Sequence, residues 1–380
     1  MRIGILTFHR ASNYGAVLQA YALQSAIRKL QPDCEIIDYR NETMEAANHV
    51  FYIMSKKAGP KHILAALLNA PLRFYRKMEF QSFRKRQLML SEVIHPENKS
   101  RCDELFDLLV VGSDQVWNDT ITGFDKMFFL DIIKNNKKKY SYAASFGFHD
   151  IPALLTKEYK DLLASFSWLS VREESGRQII NKLLKRDVLV HVDPTFLLGS
   201  DEWERLCLPV KKKGKYILIY SINKNINLID FAKSLSKQKN LPIIYLLMDI
   251  TSMKKYPGMK FAFSPSPQKF ISLIKDADTV VTNSFHGTAF SVIFRKNFYV
   301  EVDYGDKYND RIDSLLGNLN LRSRIITQPQ FRLEEPVIDW EETCTLLDAY
   351  RENSIEYLKS ITMGAESDNN RYQSRQEVSL

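Results

Sequence analysis

The feature of this sequence that most constrains its fold is a repeated alternation between short apolar segments and longer amphipathic ones. Residues 2–6 form an apolar run, and residues 16–30 then carry apolar side chains at helical spacing. Strands that alternate with helices predict parallel sheets assembled from strand–helix–strand units. The alternation forms two successive series, and 380 residues are enough for two domains. We therefore expect an α/β protein with two Rossmann-like halves.

The individual elements follow from the same patterns, and residues 44–90 are mostly helical in pattern. Strands are predicted at residues 2–6, 34–39, 108–111, 139–145, 168–171, 188–192, 216–222, 243–248, 279–282 and 298–302. Further helices are predicted at residues 16–30, 173–184, 265–276, 287–294 and 339–360.

These elements divide the chain into two domains and a terminal helix. The domains are expected at residues 1–165 and 166–338, and a basic helical insert is expected within the first at about 44–100. The terminal helix is expected at residues 339–362. The polar, aperiodic tail at residues 363–380 is expected to be disordered.

The positive charge of the chain is concentrated in one segment. The 53 Lys and Arg residues exceed the 45 Asp and Glu residues by eight, and the stretch from Lys56 to Arg86 holds nine bases against one acid, Glu79. This segment is either a solvated helical face or a contact with an anionic membrane surface, since apolar residues alternate with its bases. Nucleic acid is the least favoured partner because no nucleic-acid-binding motif accompanies the charge.

Several classes of protein are disfavoured by what the sequence lacks. No window reaches the ~18 consecutive apolar residues of a membrane span, and residues 1–7 look like a first strand rather than a signal peptide, so we expect a cytoplasmic protein. The four cysteines are far apart, which is typical of reduced thiols. No metal-ligand set, phosphate-binding loop or dinucleotide fingerprint occurs, so we expect neither a metal nor a cofactor.

Ligands of open α/β sheets bind beyond the carboxyl ends of the strands, and two turns of the first series carry suitable residues there. Gly15 allows a sharp bend after Asn13, although this turn has an alternative, purely structural role. Residues 112–118 follow an apolar strand and contain Asp114 and Trp117. Asp114 is either a catalytic base or a helix N-cap, and Trp117 is either a core residue or a platform for a sugar ring.

Two turns of the second series carry candidates for binding an anion. Arg172 ends an apolar strand, and its planar guanidinium suits a carboxylate or phosphate unless it pairs with Glu173 or Glu174. Residues 282–288 join a strand to a helix whose N-terminus attracts an anion. In this turn His286 can donate or accept a proton.

The ordered set of motifs resembles the polysaccharide pyruvyl transferase family. The motifs are Asn-x-Gly at 13–15, GSDQVWN at 112–118, SYAASFG at 141–147, LSVREESG at 169–176, HVDPTFLL at 191–198 and TNSFHGTAFS at 282–291. Their order and spacing match from about residue 1 to residue 325, and residues 44–100 match weakly.

This resemblance implies a glycosyltransferase-B-like fold, with two domains facing a central cleft and a C-terminal helix that packs back on the first domain. It implies that phosphoenolpyruvate is the donor, bound by the second domain, and that a sugar is the acceptor, bound by the first. Arg172 and His286 would bind the phosphate and carboxylate of the donor. The further donor-side candidates are Asn283, Ser284, Gly287, Thr288, Asn309 and Arg311. Arg311 is alternatively an ordinary surface arginine. The acceptor-side candidates are Asn13, Tyr14, Gly15, Gln115, Trp117 and Ser145.

The implied product is a pyruvate ketal on a cell-surface polysaccharide precursor, made at the cytoplasmic side of the membrane. Such chemistry needs an acid, a base and a positive field around the donor. Asp114 is the candidate base, whereas His286 is either the acid or a phosphate ligand. The basic segment would then hold the enzyme near a lipid-linked acceptor. The alternatives are a nucleotide-sugar-dependent glycosyltransferase of the same fold and a sugar-binding or membrane-associated scaffold without catalytic activity.

Overall fold

A computed structural model describes residues 1–41, 60–210, 214–222, 226–302, 310–327 and 337–362. The predictions made for residues 44–59, for Asn309 and for the tail from Met363 lie outside these ranges.

Five parallel strands form the first sheet. They are β1 (Ile3–Leu6), β2 (Cys34–Tyr39), β3 (Leu90–Ile94), β4 (Leu108–Val111) and β5 (Lys139–Ser141). Their order in the sheet is β3-β2-β1-β4-β5, and Ile3 lies opposite Cys34 on one side and Leu108 on the other. Every residue of β1 and β4 is buried, as expected for central parallel strands that helices cover on both faces.

Two short strands, β6 (Ser170–Val171) and β7 (Leu189–Val190), extend the edge of this sheet. Parallel bridges join Tyr140 to Trp168 and Ala144 to Val171, so β6 lies beside β5. The segment from residue 168 to residue 190 is therefore bonded to the first sheet, whereas the sequence placed it in the second domain. Hydrophobic periodicity identifies a strand but does not specify the sheet edge to which that strand pairs.

The second sheet repeats the topology of the first. Its strands are β8 (Ile217–Tyr220), β9 (Ile243–Leu247), β10 (Lys260–Phe263), β11 (Thr279–Thr282) and β12 (Asn297–Val300). All are parallel, in the order β10-β9-β8-β11-β12. The strand order reverses direction between β1 and β4 in one sheet and between β8 and β11 in the other.

Helices alternate with these strands, as predicted. They are α1 (Tyr14–Leu30), α2 (Pro60–Gln87), α3 (Arg101–Leu105), α4 (Asp119–Thr122), α5 (Thr156–Ala164), α6 (Glu174–Leu184), α7 (Ser200–Leu206), α8 (Ile226–Lys239), α9 (Pro267–Asp276), α10 (Phe285–Ile293), α11 (Asp310–Asn318) and α12 (Trp340–Thr362). The sequence patterns predicted neither β3 nor β10. Both are edge strands whose residues are mostly only partly buried, and their apolar runs are short: Ser91 and Glu92 interrupt β3, and β10 has only Phe261–Phe263.

One hydrophobic cluster joins the two domains. Tyr14 and Val17 of α1 and Phe80 of α2 pack with Phe270 of α9 and Phe290 of α10. Helices α1 and α2 of the first domain therefore share a core with α9 and α10 of the second, and the carboxyl ends of the two sheets lie on either side of one cleft.

The terminal helix α12 packs back on the first domain, which confirms the expectation. The hydroxyl of Tyr357 donates to the backbone carbonyl of Ser141 at 2.8 Å. Tyr357, Leu358 and Ile361 belong to the cluster that contains Ile3 of β1. The last element of the chain therefore completes the core of the first domain.

Replacing Leu358 with Ala is expected to lower the free energy of unfolding by about 2–5 kcal/mol, because this side chain is fully buried and its removal leaves a cavity. Urea denaturation measures the change. Lys359→Ala on the neighbouring exposed position is the control and should change stability by less than about 0.5 kcal/mol. Equal effects of the two substitutions would contradict the packing of α12 against the first sheet.

Candidate active site

A cavity of about 460 Å³ lies between the two domains. Its lining comes from the segments that follow β1 and β4 and from those at the ends of β8 and β11, where the strand order of each sheet reverses, together with Arg311 and Ile312 of α11. This crevice is where open α/β sheets bind their ligands. The lining residues are Phe8, Ala11, Asn13, Ala16, Asp114, Gln115, Ile121, Tyr220, Ile222, Asn283, Ser284, Phe285, His286, Arg311 and Ile312.

Arg172 is buried beside this cavity within a cluster of carboxylates. Its Nη1 donates to Oδ2 of Asp193 at 2.6 Å, and its Nη2 donates to Oδ1 of Asp114 at 3.4 Å. Its Nε lies 3.6 Å from Oε2 of Glu173. The ion pair with an adjacent acid that the sequence left open is thus present, but the shortest contact is with Asp193, which follows β7. Glu174 does not take part; it lies near Arg177 at the surface.

The charges of this cluster stabilise one another. Burial by itself lowers the pKa of Arg172, but the neighbouring carboxylates, Asp193 first, outweigh it and raise that pKa above its ordinary value. Burial likewise raises the pKa of Asp193, and the stronger opposing effects of His286 and Arg172 lower it below the usual range. Both Arg172 and Asp193 are therefore ionised at neutral pH.

A second guanidinium, that of Arg311, lines the cavity itself. Its Nη1 lies 3.8 Å from Oδ1 of Asp114. The Cζ atoms of Arg172 and Arg311 lie 5.0 Å and 5.8 Å from the centroid of the Phe285 ring, within cation–π distance. Burial, and then the positive charge of Arg172, lowers the pKa of Arg311. An anion bound beside Arg311 would offset both effects.

Phe285 and Arg311 also separate this cavity from a smaller one. The smaller cavity has a volume of about 50 Å³, and Arg172, His191 and Asp193 line it together with Phe285 and Arg311. Asp114, Phe285 and Arg311 therefore lie between Arg172 and the large cavity.

His286 lies in the first turn of α10, and Gly15 of α1 approaches it closely. Its Nε2 lies 3.6 Å from Oδ2 of Asp193 and has no hydrogen-bond partner among the described residues. A Cβ atom on Gly15 would lie 2.0 Å from Nδ1 of His286. Gly15 is thus required for the close packing of α1 against the imidazole, rather than for contact with a ligand.

The start of α10 divides the remaining donor-side candidates into two groups. Asn283 and Ser284 line the cavity, and the Oγ of Ser284 accepts from the backbone N–H of Gly287 at 3.3 Å. Thr288 is fully buried, and its hydroxyl donates to the carbonyl of Ser284. Gly287 and Thr288 are not among the lining residues, so they shape the helix start instead of contacting the cavity.

On the acceptor side, Asn13 and Gln115 line the cavity. Asn13 also caps α1, since its Oδ1 accepts from the backbone N–H of Ala16 at 3.3 Å. Asn13 can therefore cap α1 and line the cavity at the same time. Asp114 lines the cavity between Asn13 and Arg311 and is not the N-cap of a helix.

The structure corrects three acceptor-side predictions. Trp117 belongs to the core because aromatic side chains surround it, and its Nε1 donates to the carbonyl of Phe128. Tyr14 stacks on Phe270 with ring centroids 4.3 Å apart. Ser145 is fully buried and does not line the cavity. Each follows a strand end in sequence, but only the packing shows which way it points.

Sequence reasoning missed Asp193 and Phe285. Asp193 lies in the motif at residues 191–198 and caps a turn, since its Oδ1 accepts from the N–H of Thr195. Its second oxygen binds Arg172. An acidic residue directly after a strand is the sequence signal that indicates such a pair, because a carboxylate is costly to bury without a cationic partner.

Within the described part of the chain, no group of three or more His, Cys, Asp or Glu side chains is placed to hold a metal ion. His191 lies instead beside Ser170, with 2.6 Å between Nδ1 and Oγ, and burial lowers its pKa to about 3. None of the described helices is both long and apolar enough to cross a membrane.

Two Rossmann-like domains that share a cleft at their topological switch points define a glycosyltransferase-B-like protein. The fold is similar to that of a proposed UDP-N-acetylglucosamine 2-epimerase from Listeria monocytogenes, with a TM-score of 0.50, 9% identity, and coverage of 96% of this chain and 89% of that one. Trehalose-6-phosphate synthase gives a TM-score of 0.49, 9% identity, and coverage of 96% and 98%. These similarities concern the fold alone.

The sequence itself is more specific than the fold. The family model of polysaccharide pyruvyl transferase matches residues 13–301, and the chain belongs to that family. No curated protein matches the sequence significantly. The matched range includes every lining residue of the large cavity except Phe8, Ala11, Arg311 and Ile312.

Asp193→Asn is expected to lower the free energy of unfolding by about 2 kcal/mol near neutral pH, because it removes a charge-assisted bond to a buried guanidinium. The pKa of Asp193 is lowered in the folded protein, so this stabilisation is present above the unfolded pKa and is lost as the pH falls. The difference between the proteins should therefore shrink below about pH 4.

Urea denaturation at several pH values measures this difference. Asp187→Asn is the matched control, since Asp187 pairs with Arg177 at 2.7 Å on the surface and its loss should cost less than about 1 kcal/mol. A cost for Asp193→Asn no larger than for this control would contradict a structural role for the buried pair.

Gly15→Ala is expected to destabilise the protein by about 1–3 kcal/mol, because its Cβ would overlap the imidazole of His286. Thermal unfolding measures the change, and the NMR signals of His286 should shift. Gly199→Ala is the control, since its Cβ would meet nothing within 4 Å. Unchanged His286 signals in Gly15→Ala would argue against the close contact.

Proposed function

We propose that this protein transfers the pyruvyl group of phosphoenolpyruvate to a hexose of a cell-surface polysaccharide precursor, forms a pyruvate ketal and releases phosphate. The proposal rests on the family to which the chain belongs and on one feature of the site. Arg311, His286 and the start of α10, all from the second domain, face Asp114 of the first across one cavity. A donor with two anionic groups and an acceptor with hydroxyls match this division of charge.

The donor is proposed to bind on the cationic side of the cavity. Arg311, His286 and the first turn of α10 would hold its carboxylate and phosphate, because a helix N-terminus and guanidinium groups both favour anions. Asp114 contacts both Arg172 and Arg311. A donor anion that took the place of Asp114 would bind both guanidiniums and would set the Asp114 carboxylate free.

The acceptor is proposed to bind on the side of the first domain, as a sugar of a lipid-linked or oligosaccharide precursor. Asn13 and Gln115 offer amide groups to sugar hydroxyls. The carboxylate of Asp114, once released from the arginines, would accept the proton of the attacking hydroxyl. Donor binding would thus prepare the base for the acceptor.

The proposed reaction balances without a metal or redox cofactor. Protonation of the donor's methylene makes C2 electrophilic, and a first sugar hydroxyl adds to C2 while it loses its proton. The bond between C2 and the phosphate oxygen breaks, phosphate leaves, and a second hydroxyl adds to close the ketal. The two sugar hydroxyls lose two protons in total. One makes up for the proton that the methylene gained, and the other leaves with phosphate. His286 either supplies the methylene proton or holds the phosphate.

Phosphate release from phosphoenolpyruvate in the presence of aryl or lipid-linked galactosides, glucosides and N-acetylmannosaminides tests this function. Release is expected with one acceptor class only. Arg172→Ala and His286→Ala should each lower kcat/KM by at least about a hundredfold, because each removes a preorganised charged group or a proton-transfer group. His286→Gln separates the two roles of His286: retained turnover indicates a phosphate ligand, and lost turnover indicates the acid.

Arg177→Ala is the matched control, because Arg177 lies on α6 close in sequence to Arg172 but is paired at the surface; it should keep full activity. If no acceptor supports release and UDP or GDP, but not phosphoenolpyruvate, raises the melting temperature, the protein is a nucleotide-sugar-dependent glycosyltransferase instead. Unchanged activity in both active-site variants would also contradict the proposal.

A further inference from the structure

Large apolar side chains lie on the outer, solvent-exposed face of the long helix α2. Leu67, Leu68, Phe74, Tyr75 and Met78 are 57%, 56%, 57%, 42% and 49% exposed. At 3.6 residues per turn, positions 67, 74, 75 and 78 lie on one face. Isolated exposed apolar residues are ordinary, but a contiguous row of this kind marks an interaction surface.

The inner face of the same helix is fully occupied within the chain. Phe80 and Phe83 are buried in the cluster that joins the two domains. Asn69 is buried, and its Oδ1 accepts from the backbone N–H of Ile250 in the second domain at 2.8 Å. The helix is therefore fixed on the protein, and its outer row cannot be explained as a displaced core face.

The basic residues of α2 fall into two groups. Arg76 and Arg84 donate to the backbone carbonyls of Ser12 and Arg10, so they serve the protein itself. Among the other bases whose side chains the structure describes, Arg73, Lys77, Lys85 and Arg86 are exposed, and at 3.6 residues per turn the last three lie along or beside the apolar row.

This combination of apolar and basic side chains selects the partner. A second copy of the same face would bring like charges together, which is unfavourable. An anionic lipid surface complements the charges and also accepts the apolar side chains at the boundary between headgroups and acyl chains. We propose that the outer face of α2 docks on an anionic lipid membrane and lies in the plane of its surface.

The position of α2 connects this surface to the cavity. Arg76 and Arg84 hold the segment that contains Arg10 and Ser12, and Ala11 and Asn13 of that segment line the acceptor side. A membrane-bound α2 would therefore place the acceptor side of the cleft next to the lipid surface. The inference concerns where the protein binds and does not depend on which donor it uses.

Co-sedimentation with phosphatidylglycerol–phosphatidylcholine vesicles and with pure phosphatidylcholine vesicles tests the proposal. The full chain should bind the anionic vesicles, and binding should weaken with salt. The variant Lys77→Gln/Lys85→Gln/Arg86→Gln should bind about a hundredfold more weakly. The variant Leu67→Gln/Phe74→Gln/Met78→Gln should lose binding to a similar extent, because it removes the inserted apolar surface.

Leu154→Gln/Val337→Gln is the matched control, since both residues are apolar and more than nine-tenths exposed but lie away from α2; its vesicle binding should equal that of the wild type. Equal binding of all variants, or no binding by the wild type, would overturn the proposal. So would a loss of dimer, rather than of vesicle binding, in the α2 variants on size-exclusion chromatography with light scattering. Activity on a soluble acceptor should stay unchanged in every variant, which separates this test from that of the reaction.

Discussion

The buried contact between Arg172 and Asp193 is the interaction on which the arrangement of the cleft depends. It holds the ends of β6 and β7 together. The same carboxylate oxygen of Asp193, Oδ2, also lies 3.6 Å from Nε2 of His286 in the other domain. Asp114 and Arg311 make a second ionic link between the domains. Burying so many charges is rarely the most stable solution available to a chain, since apolar side chains of similar volume are often as good or better. Their presence at a topological switch point therefore indicates that the site uses them.

Two glycines allow the close packing on which this cluster of charged residues depends. Gly15 lets α1 approach the imidazole of His286, and Gly287 packs α10 against the side chain of Thr282 at the end of β11. A larger residue at Gly15 would push His286 away from α1, and a larger residue at Gly287 would displace α10 from β8 and β11 of its own sheet. The helix N-terminus, the imidazole and the guanidinium of Arg311 consequently surround one cavity with the carboxylate of Asp114, and Arg172 contacts Asp114 from behind. This asymmetry of charge is the basis for proposing an anionic donor on one side and a neutral, hydroxyl-bearing acceptor on the other.

The first domain combines three surfaces in a small volume. Its sheet carries one side of the cleft, α12 completes its core, and the outer row of α2 is apolar. The same helix that contributes Phe80 to the shared core also holds the segment that lines the cavity. The proposed membrane-binding face and the cleft thus both depend on α2, although they involve different side chains.

The sequence by itself determined the α/β class and the two strand–helix series, and it singled out Arg172, His286, Asp114 and Arg311, which lie together at the cleft, because periodicity and polar residues at strand ends are local properties of the chain. Tertiary structure alone decided the rest. β6 pairs with β5 rather than beginning the second sheet, Trp117 and Tyr14 point into the core, and Asp193 reaches Arg172. These outcomes depend on which way a side chain faces after a strand ends and on partners distant in sequence, and neither is encoded in a local pattern.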